Sequence, residues 1–452
     1  MSIGEIYIGP RILITFGAEL LWLGLSTVVL VILNCASLGE PFTLAGLFIQ
    51  TSGVVGLYIA IFYVMDLYDA ALMTSPRAIM LNLLQAAGFL LIILGMVTAG
   101  LHVLKLDTRL VIAHTFLTVV FVMTARLAIE YSTNAANPAP LLGVVAADQL
   151  RHELSAENER RKDLGLHFLS IADSLEGALA ALVRIHNSHS HLRKILIDSK
   201  LLDDRCAVRF LELCREQQIE IEELRSFTER AYGKVALGPG VICGLATSPM
   251  MSPSNMMSTV RRIRDLVIAC VALILTLPLT LLTILAIKCD SSGSAIYSQA
   301  RIGENGRPFT MFKFRSMYEE KSIPGAACSW STAKTDPRVT RVGKIMRVLH
   351  WDELPQLINV IRGEMSLVGP RPFHPLHVGE LESTLPHFGL RHLVKPGITG
   401  WAQVRCDYAA SVENRDEVFA RDLYYVKHAG FLFDLLILLE TVRVCVWRRG
   451  AR

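Results

Sequence analysis

The stretch LVIACVALILTLPLTLLTILAI, Leu266–Ile287, decides the fold of this chain, because it is long, apolar and interrupted by one proline. A straight helix over these 22 residues would be about 33 Å long, enough to cross the hydrocarbon core of a bilayer. Pro278 lies near the middle, where it removes a backbone hydrogen bond and kinks the helix. Basic residues flank both ends of the stretch: Arg261, Arg262, Arg264 and Lys288. A crossing helix usually has an asymmetric flank, so we predict a re-entrant helix, broken at Pro278, that returns to the face it entered.

Four further apolar runs lie in the first third of the chain, and each is close to the ~20 residues that cross a bilayer. They are Ile12–Asn34, Thr43–Met65, Ala78–Leu101 and Leu110–Ile129. Hydrophobic residues make up 52% of the chain and charged residues 19%, a balance typical of a membrane protein with soluble parts. We therefore predict a membrane α-helical bundle of four spans over residues 1–131.

Charged residues in and around these runs bear on the topology. Glu19 and Arg126 are costly in lipid, so we expect them to face other helices, either lining a site or making a polar contact. The basic stretch Arg151–Lys162 favours a cytoplasmic middle region, although Lys105 and Arg109 in an earlier loop oppose it. A fifth span would place everything after residue 288 outside the cell, away from cytosolic metabolites. This favours the re-entrant helix, and an ordinary fifth span is the alternative.

Residues 132–258 are soluble in character and follow a strand–helix–strand pattern. KILID, Lys194–Asp198, is typical of a buried strand, and Asp203–Gln218 has the pattern of an amphipathic helix capped by one of its first two aspartates. IEIEEL, Ile219–Leu224, alternates like a second strand. The order predicts a small α/β, Rossmann-like domain that ends in a linker at Gly244–Ser258. The glycine-rich dinucleotide fingerprint is missing, so we assign no nucleotide to it.

The stretch WDELPQLINVIRGEMSLVGPRP, Trp351–Pro372, carries the strongest sign of chemistry. Apolar residues at helical spacing predict an amphipathic helix over Leu354–Arg362. Pro355 fits only in its first turn, which puts Asp352 and Glu353 at the positive end of the helix dipole and favours their ionised forms. An aspartate there can cap the helix, act as a nucleophile or bind a cation. One carboxylate suffices for a cap, which leaves Glu353 for another task such as holding Mg²⁺.

Cations accompany the two carboxylates. In RIGENGRPFTMFKFRSM, Lys313 and Arg315 are two apart, so on an extended segment both would face one side and suit a diphosphate. A solvated charged face is the alternative. Arg347 precedes Asp352 by five residues, and Arg371 lies between two prolines on a stiff backbone.

A turn-rich loop, KPGITGWAQV (Lys395–Val404), is the last candidate element. Its Thr399, Trp401 and Gln403 are candidates for holding the base or sugar of a nucleotide-sugar. A purely structural role of the loop is an equal alternative.

Four motifs together resemble the bacterial sugar transferase family, whose members are polyprenyl-phosphate hexose-1-phosphate transferases that initiate exopolysaccharide or O-antigen synthesis. The motifs are KFRSM, DELPQLINVIRGEMSLVGPRP, PGITGWAQV and RDLYYVKHAGFLFDLLILLETV. The resemblance covers about Arg261–Trp447, and the N-terminal spans with the middle domain resemble the long form of the family. It implies a mixed α/β monotopic catalytic domain over residues 259–452, attached through the re-entrant helix.

The resemblance also implies the reaction. The donor would be a UDP-hexose, the acceptor undecaprenyl phosphate, the cofactor Mg²⁺, and the products polyprenyl-diphospho-hexose and UMP. Carried over by motif, Asp352 is the nucleophile of a phosphosugar–enzyme intermediate, and Glu353 is the Mg²⁺ ligand. Four cations become contacts for phosphate and carboxylate: Lys313, Arg315, Arg347 and Arg371. Direct attack by the lipid phosphate, with Asp352 as a general base, is the mechanistic alternative.

Several partners and classes can be weighed from the sequence. A net charge of +4 is too small to indicate a nucleic-acid partner, and the nine cysteines include no CxxC pair that would suggest a zinc site. The expected setting is the bacterial inner membrane, multi-pass, with the catalytic domain on the cytoplasmic face. A non-catalytic membrane scaffold of a polysaccharide assembly complex is the alternative function. The sugar, the role of the middle domain and a homodimeric state are left open.

Overall fold

The computed structural model describes most of the chain, in two compact units, Met1–Tyr232 and Gly233–Arg452. The described residues are 2–3, 6–7, 10–38, 43–65, 67–68, 76–100, 107–136, 141–146, 151–152, 154–155, 159, 167–187, 192–203, 205–237, 255–318, 338–385, 387–406 and 415–447. Most of the predicted linker, up to residue 254, lies outside them.

Four long helices begin the first unit, where the sequence predicts four spans. They are α1 (Pro10–Leu38), α2 (Leu44–Val64), α3 (Pro76–Gly100) and α4 (Thr108–Ala136), after a short hairpin of β1 (Ser2–Ile3) and β2 (Ile6–Tyr7). By length and composition, all four are apolar enough to cross a membrane. Arg126 Nε donates to Glu19 Oε1 at 2.7 Å, and Arg126 also donates to the carbonyl of Leu67. The two charges therefore form a polar contact inside the bundle, as one of the two alternatives predicted.

A parallel four-stranded sheet follows in the same unit. Its strands are β3 (Leu141–Val145), β4 (His167–Ala172), β5 (Leu192–Ile197) and β6 (Glu220–Glu223), in the order β4-β3-β5-β6. Its helices are α5 (Leu175–Asn187), α6 (Ala207–Glu216) and α7 (Leu224–Tyr232). The side chains of neighbouring residues in β5 lie on opposite faces of the sheet. Ile197 packs in one cluster with Phe210 of α6, whereas Leu196 packs in another with Phe227 of α7.

The middle-domain pattern is therefore confirmed as an α/β region with a parallel sheet. The predicted helix begins later than expected, with Cys206 at its N-cap and no side-chain cap. Asp203 instead ends a short 3₁₀ helix, Ser199–Asp203, so its prediction as the cap is wrong; its neighbour, residue 204, lies outside the described residues.

The second unit begins with the long helix α8 (Asn255–Asp290) and continues with short elements. Its strands are β7 (Ile296–Ile302), β8 (Pro308–Phe314), β9 (Ser366–Val368) and β10 (Gly397–Thr399). Its further helices are α9 (Arg341–Leu349), α10 (Gln356–Arg362), α11 (Pro375–Thr384), α12 (Trp401–Arg405), α13 (Arg415–His428) and α14 (Phe431–Trp447). β7 and β8 form an antiparallel hairpin, and β9 pairs with β10 in parallel.

Helix α8 continues through Pro278, which differs from the interruption predicted there. A proline removes one N–H and displaces one carbonyl, so it bends a long helix more readily than it ends one. The helix is continuous on both sides of the proline, and the hydroxyls of Thr276 and Thr283 each donate to a carbonyl one turn earlier, those of Ala272 and Leu279. The apolar side chains of this part project outward, and Leu275 is 75% exposed.

Both ends of α8 are fixed to the second unit. At its start, Arg262 donates to the carbonyls of Val360 and Ile361 at the end of α10, at 2.5 and 2.7 Å. Arg264 binds Asp434 of α14 at 2.6 Å. At its end, the carboxylate of Asp290 accepts the N–H of Val342, in the first turn of α9, at 3.1 Å. The basic residues before the apolar stretch therefore hold α8 to the rest of the unit.

Candidate active site

The hairpin β7–β8 and the helix α10 are locked together by Asn359, a fully buried residue of α10. Its side-chain oxygen accepts the N–H of Phe312 at 3.1 Å, and its amide nitrogen donates to the carbonyl of Thr310 at 2.7 Å. The amide also donates to Glu364 at 2.7 Å. The predicted apolar stripe does not include Asn359, yet this residue sets the position of β8, the strand that carries Lys313.

Asp352 and Glu353 lie in a short 3₁₀ helix, Trp351–Glu353, that precedes α10. The turn follows His350, whose φ of 56° is left-handed and lets α9 end before the chain turns into the pair. Helix α10 itself begins at Gln356 with Pro355 as its N-cap and no side-chain cap. Neither carboxylate therefore caps α10. The predicted helix start near Asp352 is wrong by about one turn, because the helix begins later, at Gln356.

Glu353 is held by two cations from different parts of the chain. Lys313 Nζ lies 2.6 Å and an Arg371 side-chain nitrogen 2.7 Å from the same oxygen, Oε1. Burial alone would raise the pKa of Glu353, but the charges of Arg371 and Lys313 outweigh it and hold the pKa well below its usual range. Glu353 is thus a fixed negative charge, and the pair with Arg371 joins residues 18 apart in sequence.

Asp352 has the opposite shift. Its burial and the negative charge of Glu353 raise its pKa, and the charges of Lys313, Arg371 and Arg347 offset this in part. The helix dipole does not decide its state, because α10 begins a turn later. A carboxylate with a raised pKa is more basic and a better nucleophile than an ordinary aspartate, while the surrounding cations keep its ionised form accessible.

The two remaining predicted cations, Arg347 and Arg315, make different contacts. Arg347 donates to the hydroxyl of Ser316 at 3.0 Å, and its charge lowers the pKa of Asp352. Arg315 is 6% exposed and donates to the carbonyls of Ser291 and Ser292, at 2.8 and 2.6 Å, just after α8. The predicted common face of Lys313 and Arg315 is not formed, because β8 ends at Phe314 and the alternation ends with it.

The loop that carries Arg371 approaches a second loop with almost no space between the backbones. A side chain on Gly397 would meet the backbone nitrogen of Gly369 at 2.1 Å, and one on Gly400 would meet the Gly369 carbonyl at 2.2 Å. The N–H of Gly369 donates to the carbonyl of Thr399 at 2.9 Å. Glycine is needed at these positions because any Cβ would push the two loops apart.

A buried ion pair supports the same loop and was not predicted from the sequence. Arg391 is 1% exposed and donates to Asp422 Oδ2 at 2.6 Å and to the backbone carbonyl of Arg371 at 2.8 Å. Its guanidinium lies over the rings of Phe373 and Phe388, at 4.4 and 5.2 Å from their centroids. Arg391 thus fixes the backbone from which Arg371 reaches Glu353.

The three residues predicted to hold the nucleotide-sugar make their contacts mostly within the protein. Trp401 is 2% exposed, packs against Tyr424 and Phe433, and donates to the carbonyl of Gly233 at 2.6 Å. Thr399 bonds Thr441 at 2.7 Å, and Gln403 donates to the carbonyl of Ile398 at 3.1 Å. These positions favour the structural alternative: the loop shapes the backbone around Arg371.

Comparisons with known proteins give a family match that lies within the second unit. The family model described as bacterial sugar transferase matches residues 256–448. A UDP-N-acetylgalactosamine-undecaprenyl-phosphate N-acetylgalactosaminephosphotransferase of Aeromonas hydrophila is 36% identical over 54% of this chain and 56% of its own length. An undecaprenyl-phosphate glucose phosphotransferase of Komagataeibacter xylinus is 44% identical over 42% of this chain and 36% of its own length.

A shorter relative is matched over most of its length. A UDP-glucose:undecaprenyl-phosphate glucose-1-phosphate transferase of Caulobacter vibrioides is 41% identical over 40% of this chain and 68% of its own length. The chain thus matches a little over half of the length of the Aeromonas relative and about a third of that of the Komagataeibacter relative. It matches about two thirds of the length of the Caulobacter relative.

Proposed function

Because the chain belongs to the bacterial sugar transferase family, we propose that it transfers a hexose-1-phosphate from a UDP-sugar to a polyprenyl phosphate, undecaprenyl phosphate in the bacterial membrane. The products are polyprenyl-diphospho-hexose and UMP. The observation that carries the proposal is the site around Asp352: a basic carboxylate beside a permanently ionised one, with Lys313, Arg347 and Arg371 around them. Such a group of cations matches the pyrophosphate of the donor.

The proposed chemistry runs in two displacements. An oxygen of ionised Asp352 attacks the phosphorus that bears the hexose, the bond to the bridging oxygen of the pyrophosphate breaks, and UMP leaves with that oxygen. An oxygen of the lipid phosphate then attacks the same phosphorus and displaces the Asp352 carboxylate. The cations stabilise the negative charge on the phosphoryl oxygens in both steps. Division into two steps lets a soluble donor and a membrane acceptor react in turn.

Magnesium is proposed as the cofactor, and the residues fit a particular kind of site. The described part of the chain has no cluster of three or more possible ligands, so a metal cage made by these side chains alone is absent there. Two carboxylates together with substrate phosphates are a common way to hold Mg²⁺. Both cations contact Oε1 of Glu353, which leaves Oε2 as the oxygen for a metal. Bound there, the ion would neutralise charge on the pyrophosphate.

The substitution Glu353→Gln is expected to raise the Mg²⁺ concentration for half-maximal UMP release about tenfold or more, because an anionic ligand is lost. It should also shift the acid limb of the pH–rate profile to lower pH. The charge of Glu353 raises the pKa of Asp352, so removing it lowers that pKa, and Asp352 stays ionised, hence active, in more acidic solution. Mg²⁺ titrations and pH–rate profiles of the purified protein measure both effects.

The matched control is Glu382→Gln, which removes an exposed carboxylate of α11. In this variant the Mg²⁺ concentration for half-maximal UMP release and the acid limb of the pH–rate profile should both equal those of the wild type. An unchanged Mg²⁺ requirement in Glu353→Gln would remove Glu353 as the ligand, whereas an acid limb that moves to higher pH would contradict the electrostatic coupling.

We also propose that α8 is re-entrant and that the catalytic unit lies on the cytoplasmic face of the inner membrane. Support comes from the two ends of α8, which bind the same compact unit through Arg262 and Asp290. A helix anchored at both ends to one water-soluble body returns to the side from which it entered. A phosphatase reporter that is active only outside the cytoplasm, fused after residue 452, should stay inactive; activity would indicate a crossing.

The test of the function is UMP release by the purified full chain from a panel of UDP-sugars, with and without undecaprenyl phosphate. Repeated turnover, beyond one equivalent of UMP, should depend on the lipid phosphate for at least one sugar. UDP-glucose and UDP-N-acetylgalactosamine head the panel because the relatives' names carry them. Absence of turnover with every sugar, together with complementation by an Asp352→Asn variant in cells, would favour the scaffold alternative.

A further inference from the structure

A short segment of the second unit precedes the residues that match the family. It consists of residues 233–237, which we call the strap, and it follows directly after α7 in the chain. The family match begins only at residue 256. Gly233 and Val235 of the strap are nevertheless buried. A backbone that is buried needs hydrogen-bond partners, so the contacts of these two residues show what the strap is attached to.

Both buried residues of the strap bond to the second unit through their backbones. The carbonyl of Gly233 accepts the Nε1–H of Trp401 at 2.6 Å, in a buried hydrogen bond between residues 168 apart in sequence. The N–H of Val235 donates to the carbonyl of Ala420, in α13, at 3.1 Å. A buried N–H that loses its partner is costly, so the strap is fixed to the same interior that holds Trp401.

Gly233 is fitted to Trp401 in two ways. Its φ of 63° is left-handed, the region that favours glycine. A Cβ at this position would also lie 2.6 Å from Cζ2 of the Trp401 ring. The ring has little room to move, because it is buried against Tyr424 and Phe433. The strap and the Trp401 ring therefore hold each other in place.

Trp401 comes directly after the loop that supports Arg371. Gly400 is the N-cap of α12, and a Cβ on Gly400 would meet the carbonyl oxygen of Gly369 at 2.2 Å. Gly369 lies two residues before Arg371, whose side chain binds Glu353 at 2.7 Å. Two backbones this close cannot shift independently, so a displacement of Trp401 is passed through Gly400 to the segment that carries Arg371.

We propose that the strap is a positioning element of the transferase: by holding Trp401, it keeps the Arg371 side chain in place for the pyrophosphate of the donor. The inference rests on the proposed transfer from a UDP-sugar. Arg371 contacts the substrate, whereas Gly233 and Trp401 act through it and are positioning residues. Direct contact of the Trp401 ring with the donor fits less well, because the ring is buried and its N–H is already bonded to Gly233.

Two variants of the full-length protein test the strap. Gly233→Ala places a Cβ against the Trp401 ring, and Trp401→Phe keeps an aromatic ring but removes the N–H. In both, kcat/KM for transfer of labelled hexose-1-phosphate to undecaprenyl phosphate should fall about tenfold, the loss of about one hydrogen bond. The matched control is Gly306→Ala: Gly306 has a φ of 72°, also left-handed, but its Cβ would meet nothing within 4 Å. Its kcat/KM should stay within about twofold of the wild type.

A double-mutant cycle separates positioning from stability. Arg371→Ala removes the side chain through which the strap acts. In that background, Gly233→Ala and Trp401→Phe should lower the remaining kcat/KM by less than about twofold. The same tenfold loss in both backgrounds would mean a merely structural role and would overturn the proposal. A loss confined to Trp401→Phe would also overturn it, because the ring would then contact the donor directly.

Hydrogen exchange tests the same link without turnover. Amide exchange in the peptide 366–371, measured by mass spectrometry, should be about tenfold faster in both strap variants than in the wild type and in Gly306→Ala. Unchanged exchange in both variants would overturn the proposal while the proposed function stands. A wild-type protein that transfers no hexose from any UDP-sugar would instead overturn the proposed function, and faster exchange would then still show that the strap positions the Arg371 segment.

Discussion

Replacement of Asp352 by asparagine is expected to reduce hexose-1-phosphate transfer about 10³-fold or more, because the amide has no negative charge with which to attack phosphorus. Asparagine keeps nearly the same shape, and the ion pairs of Glu353 with Lys313 and Arg371 do not involve Asp352. The variant should therefore fold and still bind UMP. Initial rates with donor and undecaprenyl phosphate measure the loss, and UMP inhibition or calorimetry measures the retained binding.

The control for this variant is Asp416→Asn, which changes an exposed aspartate in the first turn of α13. Its rate should match the wild type. If Asp352→Asn retained wild-type turnover, Asp352 would have no part in the chemistry and the site would have to be reassigned.

The same variant separates the two mechanisms. Wild-type protein mixed with UDP-sugar in the absence of lipid should release one equivalent of UMP and carry a hexose-phosphate adduct on the peptide containing Asp352. Mass spectrometry of the quenched protein detects that adduct, and Asp352→Asn should lack it. If UMP appears only after the lipid phosphate is added and no adduct forms, Asp352 is the general base of a direct transfer.

Replacement of Arg391 by leucine is expected to destabilise the second unit by about 3–5 kcal/mol, since it leaves Asp422 buried without its partner. Burial already raises the pKa of Asp422, and Arg391 is the cation that counters it. Thermal or denaturant unfolding of the purified protein measures the effect. Transfer activity should fall as well, because the carbonyl of Arg371 loses its donor.

A double variant, Arg391→Leu with Asp422→Leu, distinguishes stability from positioning. Removing both charges takes away the uncompensated carboxylate, so most of the lost stability should return. The hydrogen bond to Arg371 remains absent, so kcat/KM should stay low even where the protein is fully folded. Recovery of both stability and activity would mean that Arg391 supports the fold but does not position Arg371.

Much of the site is predictable because it is local in sequence. Asp352 and Glu353 are adjacent, and Arg347 lies five residues before Asp352, so the chain keeps all three within a short stretch. The partial burial of both carboxylates and the division of their pKa shifts are not local. They depend on Lys313 from β8 and Arg371 from a loop, whose charges fall on Glu353 more than on its neighbour.

For other predicted residues the structure shows contacts that the sequence does not reveal. Arg315 follows the right spacing for a second phosphate contact, but the strand ends before it and its guanidinium turns to the carbonyls after α8. Trp401 looks like a platform for a base, yet it fills the core beside Tyr424 and Phe433. Arg391 lies outside the family motifs, and the roles of Asp422 and Asn359 within them are hidden, because a buried polar residue and an exposed one look alike in a sequence.

By itself, the sequence determined the apolar helices, the parallel α/β pattern of the middle region, and the family motifs around Asp352, because hydropathy, periodicity and neighbouring residues are properties of a linear chain. Only the tertiary structure decided which cations meet Glu353, that α8 continues through Pro278, and that Arg391 donates to the backbone of Arg371. These depend on burial and on contacts between distant segments. The free energies of charges and hydrogen bonds change with both, so the chemistry of the site is set by packing as much as by residue type.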